Sequence, residues 1–221
     1  MKLPTLIFFL LYTFPVFGQV DSFSCHRVTD KIKITADSAL YEDSFIDKNK
    51  NIGHIKDSKA DFEIRYYYTP SLANGGHVTI ISCTDNKMKA NKINYWFSVK
   101  KDYDKRKINR TQIVELTPKS WKLFFDSLEL MNFYNFPTME TIRPKMKKYV
   151  TLADGRVAEQ RSMITDGANY SFEIKIGNII RAFTYHSPDA WYRAYDNVDE
   201  LRQATQLIEY FKKSFREGNS R

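Results

Sequence analysis

The residues that could carry acid–base, nucleophilic or metal chemistry are few and follow no recognised pattern. The four histidines are His26, His54, His77 and His186, and no two of them have the spacing of metal ligands. The motifs GxSxG, HExxH, CxxC, GxGxxG and GxxxxGK[ST] do not occur. The sequence therefore indicates no catalytic residue, no metal site and no cofactor.

Carboxylates give a second route to chemistry, because glycoside hydrolysis needs two of them across the scissile bond. Asp154, Glu159, Asp166 and Glu173 are the candidates for such a pair. Their positions in predicted turns and strands explain them more simply. An exported hydrolase acting on a cell-envelope polymer is therefore the alternative function.

Two basic clusters could bind a polyanion by charge. Residues 100–110 (KKDYDKRKINR) hold six basic side chains, and residues 143–148 (RPKMKK) hold four. If the clusters lie side by side, they would attract an anionic polymer. Two exposed loops that only interact with water are the alternative. The residues that would carry such a site are Lys105, Arg106, Lys145 and Lys147.

The overall charge supports an anionic partner only weakly. The chain has 34 Lys and Arg against 26 Asp and Glu, which gives a net charge of +8. A moderately basic surface favours anionic glycans, lipid headgroups or nucleic acid. Aromatic side chains hardly interleave with the basic ones, so specific nucleic-acid readout is not expected. An anionic glycan or an envelope protein is the expected partner.

Aromatic residues make up 15% of the chain, and several of them cluster after a predicted hairpin. Trp191, Tyr192 and Tyr195 follow one another at helical spacing. Trp and Tyr outside a core often form platforms that bind sugars or proteins. Packing in the core is the alternative interpretation of these three residues.

The start of the chain has the layout of a secretory signal peptide. Met1-Lys2 precedes an apolar run over residues 3–17, and Val16-Phe17-Gly18 suits cleavage before Gln19. A transmembrane helix needs about 20 apolar residues, whereas this run is shorter and contains Pro15. An uncleaved anchor is the alternative. No later stretch is apolar enough to span a membrane, so residues 19–221 are predicted to form one soluble domain.

The elements that position these residues centre on a hairpin at residues 166–188 (DGANYSFEIKIGNIIRAFTYHSP). Apolar and polar residues alternate there, and Gly177-Asn178 suits a two-residue turn. The register then places Arg181 on the apolar face. Snorkelling from a sheet margin is the expected explanation for Arg181, and pointing into a site is the alternative. The predicted pairs are Ile176–Ile179, Ile174–Arg181, Phe172–Phe183 and Tyr170–Tyr185.

The remaining chain predicts further strands and two amphipathic helices. Residues 62–68, 78–83, 93–99 and 109–117 alternate as strands, and a sheet with one apolar side is expected. Thr117-Pro118 is predicted to start the first helix, and Asn197 to cap the last one. The fold class is therefore α+β, in which a mainly antiparallel sheet has both helices packed on one face.

The two cysteines, Cys25 and Cys83, predict a disulfide. Export would place them in an oxidising compartment, where paired thiols normally close. The bridge would attach a weakly patterned N-terminal segment to the sheet. Two separate buried thiols, or a metal site that includes His26, are the alternatives.

The apolar start that ends in VFGQ and the hairpin DGANYSFEIKIG…FTYHSP resemble those of short exported proteins from Bacteroidota-type bacteria. This resemblance implies a periplasmic or extracellular location and transfers no catalytic residue. The expected function is that of an exported, non-enzymatic binding or interaction protein of the cell envelope. Its binding surface is expected on the outer sheet face or near Trp191.

Overall fold

The computed structural model describes residues 23–29, 32, 34, 49–98 and 107–218. The predicted signal peptide lies outside them. The helices are α1 (His26–Thr29), α2 (Trp121–Leu130), α3 (Met139–Ile142), α4 (Pro188–Ala194) and α5 (Asp199–Ser214). The strands are β1 (Phe62–Pro70), β2 (Gly75–Thr84), β3 (Lys87–Phe97), β4 (Ile108–Pro118), β5 (Lys148–Thr151), β6 (Val157–Gln160), β7 (Ala168–Ile176), β8 (Ile179–His186) and β9 (Phe215–Glu217).

One antiparallel sheet of seven strands organises the fold. Its strand order is β8-β7-β1-β2-β3-β4-β9, and β5 and β6 form a separate two-stranded sheet. The predicted hairpin is β7–β8, and its register is confirmed at all four pairs, including Ile174 opposite Arg181. Gly177 has a φ of 54°, which suits glycine in the tight turn between these strands. The α+β prediction is therefore confirmed.

The helices cover one face of this sheet, called here the inner face. Phe62, Ile64 and Tyr66 alternate along β1 and are fully or almost fully buried. Both amphipathic helices pack on this face, as predicted, because each has one apolar stripe that must leave water. The helical side chains buried there are Phe124, Phe125 and Leu128 of α2 and Leu201, Ala204, Leu207, Ile208 and Phe211 of α5.

The opposite face, called here the outer face, also buries apolar side chains. Tyr67, Val78 and Ile93 are cross-strand neighbours and pack with Ile52, which precedes β1. Tyr95 and Phe97 belong to the same cluster. The prediction of a single apolar side is therefore wrong. It failed because part of the polar segment before β1 folds back over the sheet.

The Cys25–Cys83 disulfide is confirmed. The two Cα atoms are 6.2 Å apart, across a sequence separation of 58. Both cysteines belong to the inner core, together with Val28 of α1. The bridge thus attaches the N-terminal segment to β2 of the main sheet, as predicted. In the part of the chain that the structure describes, no helix has the length and apolar character needed to cross a membrane.

Two predicted helix starts are wrong. Thr117 and Pro118 end β4 by pairing with Arg216 and Phe215 of β9, so they cannot begin a helix. Ser120 caps α2 instead, since its hydroxyl accepts a hydrogen bond of 3.3 Å from the Leu123 amide. Helix α5 has Val198 at its N-cap without a side-chain cap. The predicted cap at Asn197 is wrong because the helix begins one residue later, and the Glu200 carboxylate instead accepts a hydrogen bond from Lys145.

Candidate binding surface

Arg181 is a buried structural residue, so the prediction that it snorkels from a sheet margin is wrong. Its side chain lies on the inner face, and the residue is only 4% exposed. The guanidinium donates hydrogen bonds to the carbonyls of Tyr134 and Phe136 and lies 4.8 Å from the ring centroid of Phe183. These contacts hold the turn after α2 against the hairpin and leave Arg181 out of reach of a ligand.

The second basic cluster belongs to a surface element that we call the basic arm, residues 143–163. It consists of a helical turn, β5, a turn at Asp154-Gly155 and β6. Strand β6 pairs with β5 and not with the main sheet. The arm contains six basic and two acidic residues. They are Arg143, Lys145, Lys147, Lys148, Arg156 and Arg161 against Asp154 and Glu159.

The arm exposes apolar side chains that a water-facing hairpin has no need for. Tyr149 and Val157 lie on the same face of the arm, and they are 63% and 68% exposed. Met163 after β6 is 86% exposed, and Leu152 near the turn is also exposed. Isolated exposed apolar residues are ordinary. Four on one small basic hairpin make the arm a candidate contact surface.

Part of the arm's positive charge is paired. Arg156 pairs with Asp154 at 2.7 Å, and the pKa of Asp154 is lowered by the hydrogen bond from that guanidinium. Arg161 lies 3.9 Å from Glu159. Within the part of the chain that is described, Arg143 and Lys147 have no ion-pair partner within 4.0 Å. The arm therefore presents net positive charge to solvent.

Two lysines attach the arm to the junction between α4 and α5. Lys148 pairs with Asp196 at 3.1 Å, and Lys145 pairs with Glu200 at the start of α5. In each case the hydrogen bond from the lysine lowers the pKa of the carboxyl. The Ser162 amide also donates a hydrogen bond of 3.1 Å to the Tyr195 hydroxyl. The arm thus has a defined position on the body of the protein.

These contacts bring together two groups of residues that the sequence presented separately. Trp191 and Tyr192 are half-buried, whereas Tyr195 is buried and stacks on Trp191 with ring centroids 5.9 Å apart. The Tyr195 hydroxyl therefore joins the aromatic segment to the arm, which carries Lys145 and Lys147.

The first basic cluster cannot be placed beside the arm. Lys105 and Arg106 lie outside the described residues. The next residues enter β4, which is five strands away from β8 in the sheet. At about 4.8 Å per strand, that is about 24 Å from β8, the strand that leads into α4 and then to the α4–α5 junction on which the arm is anchored. A single site formed by both clusters stays a prediction.

The predicted catalytic carboxylates are held apart by different partners. Asp154 and Glu159 pair with arginines on the arm. Glu173 is buried on the outer face, where it accepts a hydrogen bond of 2.9 Å from the Tyr67 hydroxyl, and Asp166 is exposed. Two other carboxylates, Asp126 and Glu129 of α2, line a cleft of about 260 Å³ beside the N-terminal segment.

Glu173 belongs to a buried network of charges on the outer face. Arg65 donates to Glu63 at 2.5 Å and to the Gly53 carbonyl at 2.7 Å, and it lies 4.0 Å from Glu173. Lys175 donates to the carbonyls of Ser58 and Ala60. All four charged residues, Glu63, Arg65, Glu173 and Lys175, are less than a tenth exposed. The network fixes the covering segment to the sheet and offers no access to a ligand.

Sequence reasoning missed a second cleft, at one end of the inner face. Tyr68, His77, Asn94 and Trp96 line it, and its volume is about 290 Å³. The signal was present in the alternation, because His77 and Trp96 both point away from the outer-face apolar residues of their strands. To predict the cleft from the sequence, the register of β1 with β2 and of β2 with β3 would also have been needed.

Among the residues that are described, no three His, Cys, Asp or Glu side chains gather closely enough to hold a metal ion. Comparison with known proteins gives no further assignment. No family model matches the chain, no curated protein matches it, and no solved structure matches it. Its function must therefore be argued from its own surfaces.

Proposed function

We propose that the protein is an exported, non-enzymatic binding protein of the cell envelope that holds an anionic glycan on the basic arm. One observation carries the proposal. The arm concentrates six basic residues against two acidic ones on an element that is separate from the main sheet. Repeated sulfate or carboxylate groups would interact with such a surface through charge.

The fixed position of the arm favours ligand binding over the alternative that its charges only interact with water. Hydrogen bonds from Lys145, Lys148 and Ser162 fix the arm to the α4–α5 junction. A fixed arrangement of cations loses less conformational freedom when it binds than a mobile loop would. Exposed Tyr149 and Val157 can also contact the apolar faces of sugar rings between the charged groups.

Export is part of the proposal. It rests on the apolar run and small residue before Gln19 and on the resemblance to exported Bacteroidota-type proteins. The Cys25–Cys83 disulfide supports it, because such bridges persist in oxidising compartments. N-terminal sequencing of protein secreted from its host is the direct measurement. A mature chain that begins at Gln19 is expected, and an intact Met1 would contradict export with cleavage.

The binding test uses heparin as a defined anionic glycan. In the variant Arg143→Glu/Lys147→Glu, both unpaired cations of the arm are reversed and the hydrogen bonds that anchor the arm are kept. Elution from heparin should shift to lower salt. The slope of log affinity against log salt should fall by about two, one for each lost contact.

The matched control is Lys87→Glu/Lys119→Glu, which changes the net charge equally at exposed positions outside the arm. It should elute close to the parent protein. Equal shifts for both variants would show that only net charge matters, and the arm would then have no specific role. Binding to an envelope protein in place of heparin would redirect the proposal to a protein partner.

A hydrolase remains the second candidate because Asp126 and Glu129 line one cleft. They are three residues apart on α2, a spacing at which the Cβ atoms lie about 5–6 Å apart, so the two carboxyls can come within a similar distance. Retaining glycosidases separate their carboxyls by about 5–5.5 Å. However, Lys122 pairs with Asp126 at 2.6 Å, and this neutralises one of the two charges. Release of reducing sugar from peptidoglycan, abolished by Asp126→Asn, would establish the enzyme.

A further inference from the structure

The cleft at the end of the inner face, called here the end cleft, has the composition of a sugar-binding site. The geometry points to a second binding site there that accepts one uncharged pyranose ring between Trp96 and Tyr68, with Asn94 binding its hydroxyl groups. This inference does not depend on the basic arm, since it rests on different residues on β1, β2 and β3.

A row of side chains crosses the sheet at this level, in which the first four are half-buried and the last, Gln112, is exposed. Tyr170, Tyr68, His77, Asn94 and Gln112 are successive cross-strand neighbours from β7 to β4. The ring centroids of Tyr170 and Tyr68 are 5.4 Å apart, and those of Tyr68 and His77 are 5.1 Å apart. The rings of Tyr170, Tyr68 and His77 thus form a continuous surface, and the amide side chains of Asn94 and Gln112 continue the row.

A glycine keeps the end cleft open. Gly75 lies directly opposite Trp96, so no side chain stands beside the indole at that position of β2. A Cβ atom added to Gly75 would lie 2.2 Å from the carbonyl oxygen of Tyr95. The close approach of the β2 and β3 backbones thus requires glycine at this position, and no side chain of residue 75 covers the indole of Trp96. Trp96 remains 36% exposed, which is unusual for tryptophan beside a core.

The polar groups of the end cleft suit hydroxyls better than charges. The side-chain amides of Asn94 and Gln112 have no hydrogen-bond partner among the described residues, and an amide offers both donors and an acceptor. His77 is uncharged, because burial and the nearby cations Lys92 and Lys212 lower its pKa to about 4. A neutral imidazole likewise donates on one nitrogen and accepts on the other.

The charges around the end cleft are mostly paired. Lys92 pairs with Glu217 at 2.9 Å, and Lys212 pairs with Glu209 at 2.8 Å. Arg110 lies on the far side of Trp96, with its guanidinium 5.0 Å from the ring centroid, and does not line the cleft. The volume of 290 Å³ equals that of roughly ten liquid water molecules. One sugar ring fits this space, whereas a longer oligosaccharide would have to extend out of it.

The test uses protein labelled with 5-fluorotryptophan, because the chain has three tryptophans and Trp96 alone lines the end cleft. The probes are the methyl glycosides of glucose, mannose and galactose, with methyl glucuronide as the charged comparison. At least one neutral glycoside should shift the ¹⁹F signal of Trp96 in a saturable titration. The signals of Trp121 and Trp191 should not move.

Asn94→Ala should weaken the neutral glycoside about tenfold, since the ligand loses a buried hydrogen bond. Trp96→Leu should abolish the saturation-transfer NMR signal of the same glycoside, and Trp191→Leu is its matched control. Arg143→Glu/Lys147→Glu should bind the glycoside normally, which separates this site from the proposed glycan surface on the arm. The inference is overturned if no neutral glycoside shifts Trp96, if Asn94→Ala binds unchanged, or if only the glucuronide binds.

Discussion

The two faces of the sheet bury their ionisable groups in different ways. On the outer face, Glu63, Arg65, Glu173 and Lys175 are buried as charges that bind one another and the covering segment. On the inner face near the end cleft, His77 lies among aromatic rings and is held neutral, since its pKa is lowered to about 4 by burial and neighbouring cations. The outer network compensates buried charge, whereas the end of the inner face near His77 avoids it. Elsewhere on the inner face, Arg181 is a buried charge that the carbonyls of Tyr134 and Phe136 satisfy.

This difference follows from what covers each face. Where helices cover the inner face, they present apolar stripes that cannot satisfy a charge. Arg181 is the exception because it meets backbone carbonyls of the turn after α2. The segment before β1 covers the outer face with backbone, and the carbonyls of Gly53, Ser58 and Ala60 accept hydrogen bonds from Arg65 and Lys175. Buried charges are tolerated where such partners exist.

The largest expected effect comes from breaking the outer network. Arg65→Met would leave Glu63 and Glu173 buried without their cation. Removing one partner of a buried ion pair costs about 3–5 kcal/mol. Because two carboxylates lose the same partner here, we expect a loss near 5 kcal/mol. Urea unfolding at pH 7 measures it.

The control for this substitution is Arg110→Met, which removes an exposed guanidinium from the ring of Trp96. It should cost no more than about 1 kcal/mol. The triple change Glu63→Leu/Arg65→Met/Glu173→Leu should recover most of the loss, because it leaves no buried charge unpaired. A similar cost for Arg65→Met and Arg110→Met would show that the outer network does not stabilise the fold.

Sequence reasoning predicted the inner face well and the outer face poorly. In β1, the charged residues Glu63 and Arg65 alternate with the apolar residues Phe62 and Ile64. A strand with one face in water has the same alternation. Alternation cannot distinguish a charged face in water from one that is covered. Deciding this requires the path of the segment before β1, whose polar residues resemble those of any loop.

The site residues show the same limit. The β7–β8 register was predictable because a two-residue turn leaves no freedom. The end cleft was not, because the four residues between β1 and β2 do not determine which residue pairs with Tyr68. The arm's attachment to the α4–α5 junction depends on contacts between residues about 50 positions apart, such as Lys145 with Glu200.

The second-largest expected effect comes from the disulfide, which attaches the N-terminal segment to the inner core. Closing a loop with a sequence separation of 58 should stabilise the fold by about 4 kcal/mol through the unfolded state. Reduction, or the variant Cys25→Ala/Cys83→Ala, should therefore lower the free energy of unfolding by about that amount. Urea unfolding with and without a phosphine reductant measures it.

Reductant should have no effect on the double alanine variant, which serves as the control. Loss of the bridge should also release Phe23 from its stacked position on Phe125, where the ring centroids are 5.2 Å apart. The outer network should remain intact, since its side chains lie on the opposite face of the sheet from the bridge. An unfolding midpoint of the parent that is insensitive to reductant would contradict this prediction.

The smallest of the three effects is the pH dependence contributed by His77, which tests the inner half of the comparison. An unfolded histidine takes up a proton near pH 6.5, whereas folded His77 does so only near pH 4. The folded state thus favours the neutral imidazole. This contribution is complete above pH 6.5 and is lost as the pH falls towards 4, when the unfolded chain binds the proton first.

The full contribution corresponds to at most about 3 kcal/mol, and partial exposure of the ring reduces it. Carboxylates titrate in the same range, so the measurement is a difference between variants. The parent should lose more stability between pH 7 and pH 4.5 than His77→Gln, and His186→Gln should behave like the parent. If His77→Gln has the parent's pH profile, His77 is protonated in the folded state as easily as in the unfolded chain. The end of the inner face around His77 would then tolerate a charge as the outer network does, and the contrast between these two regions would be wrong.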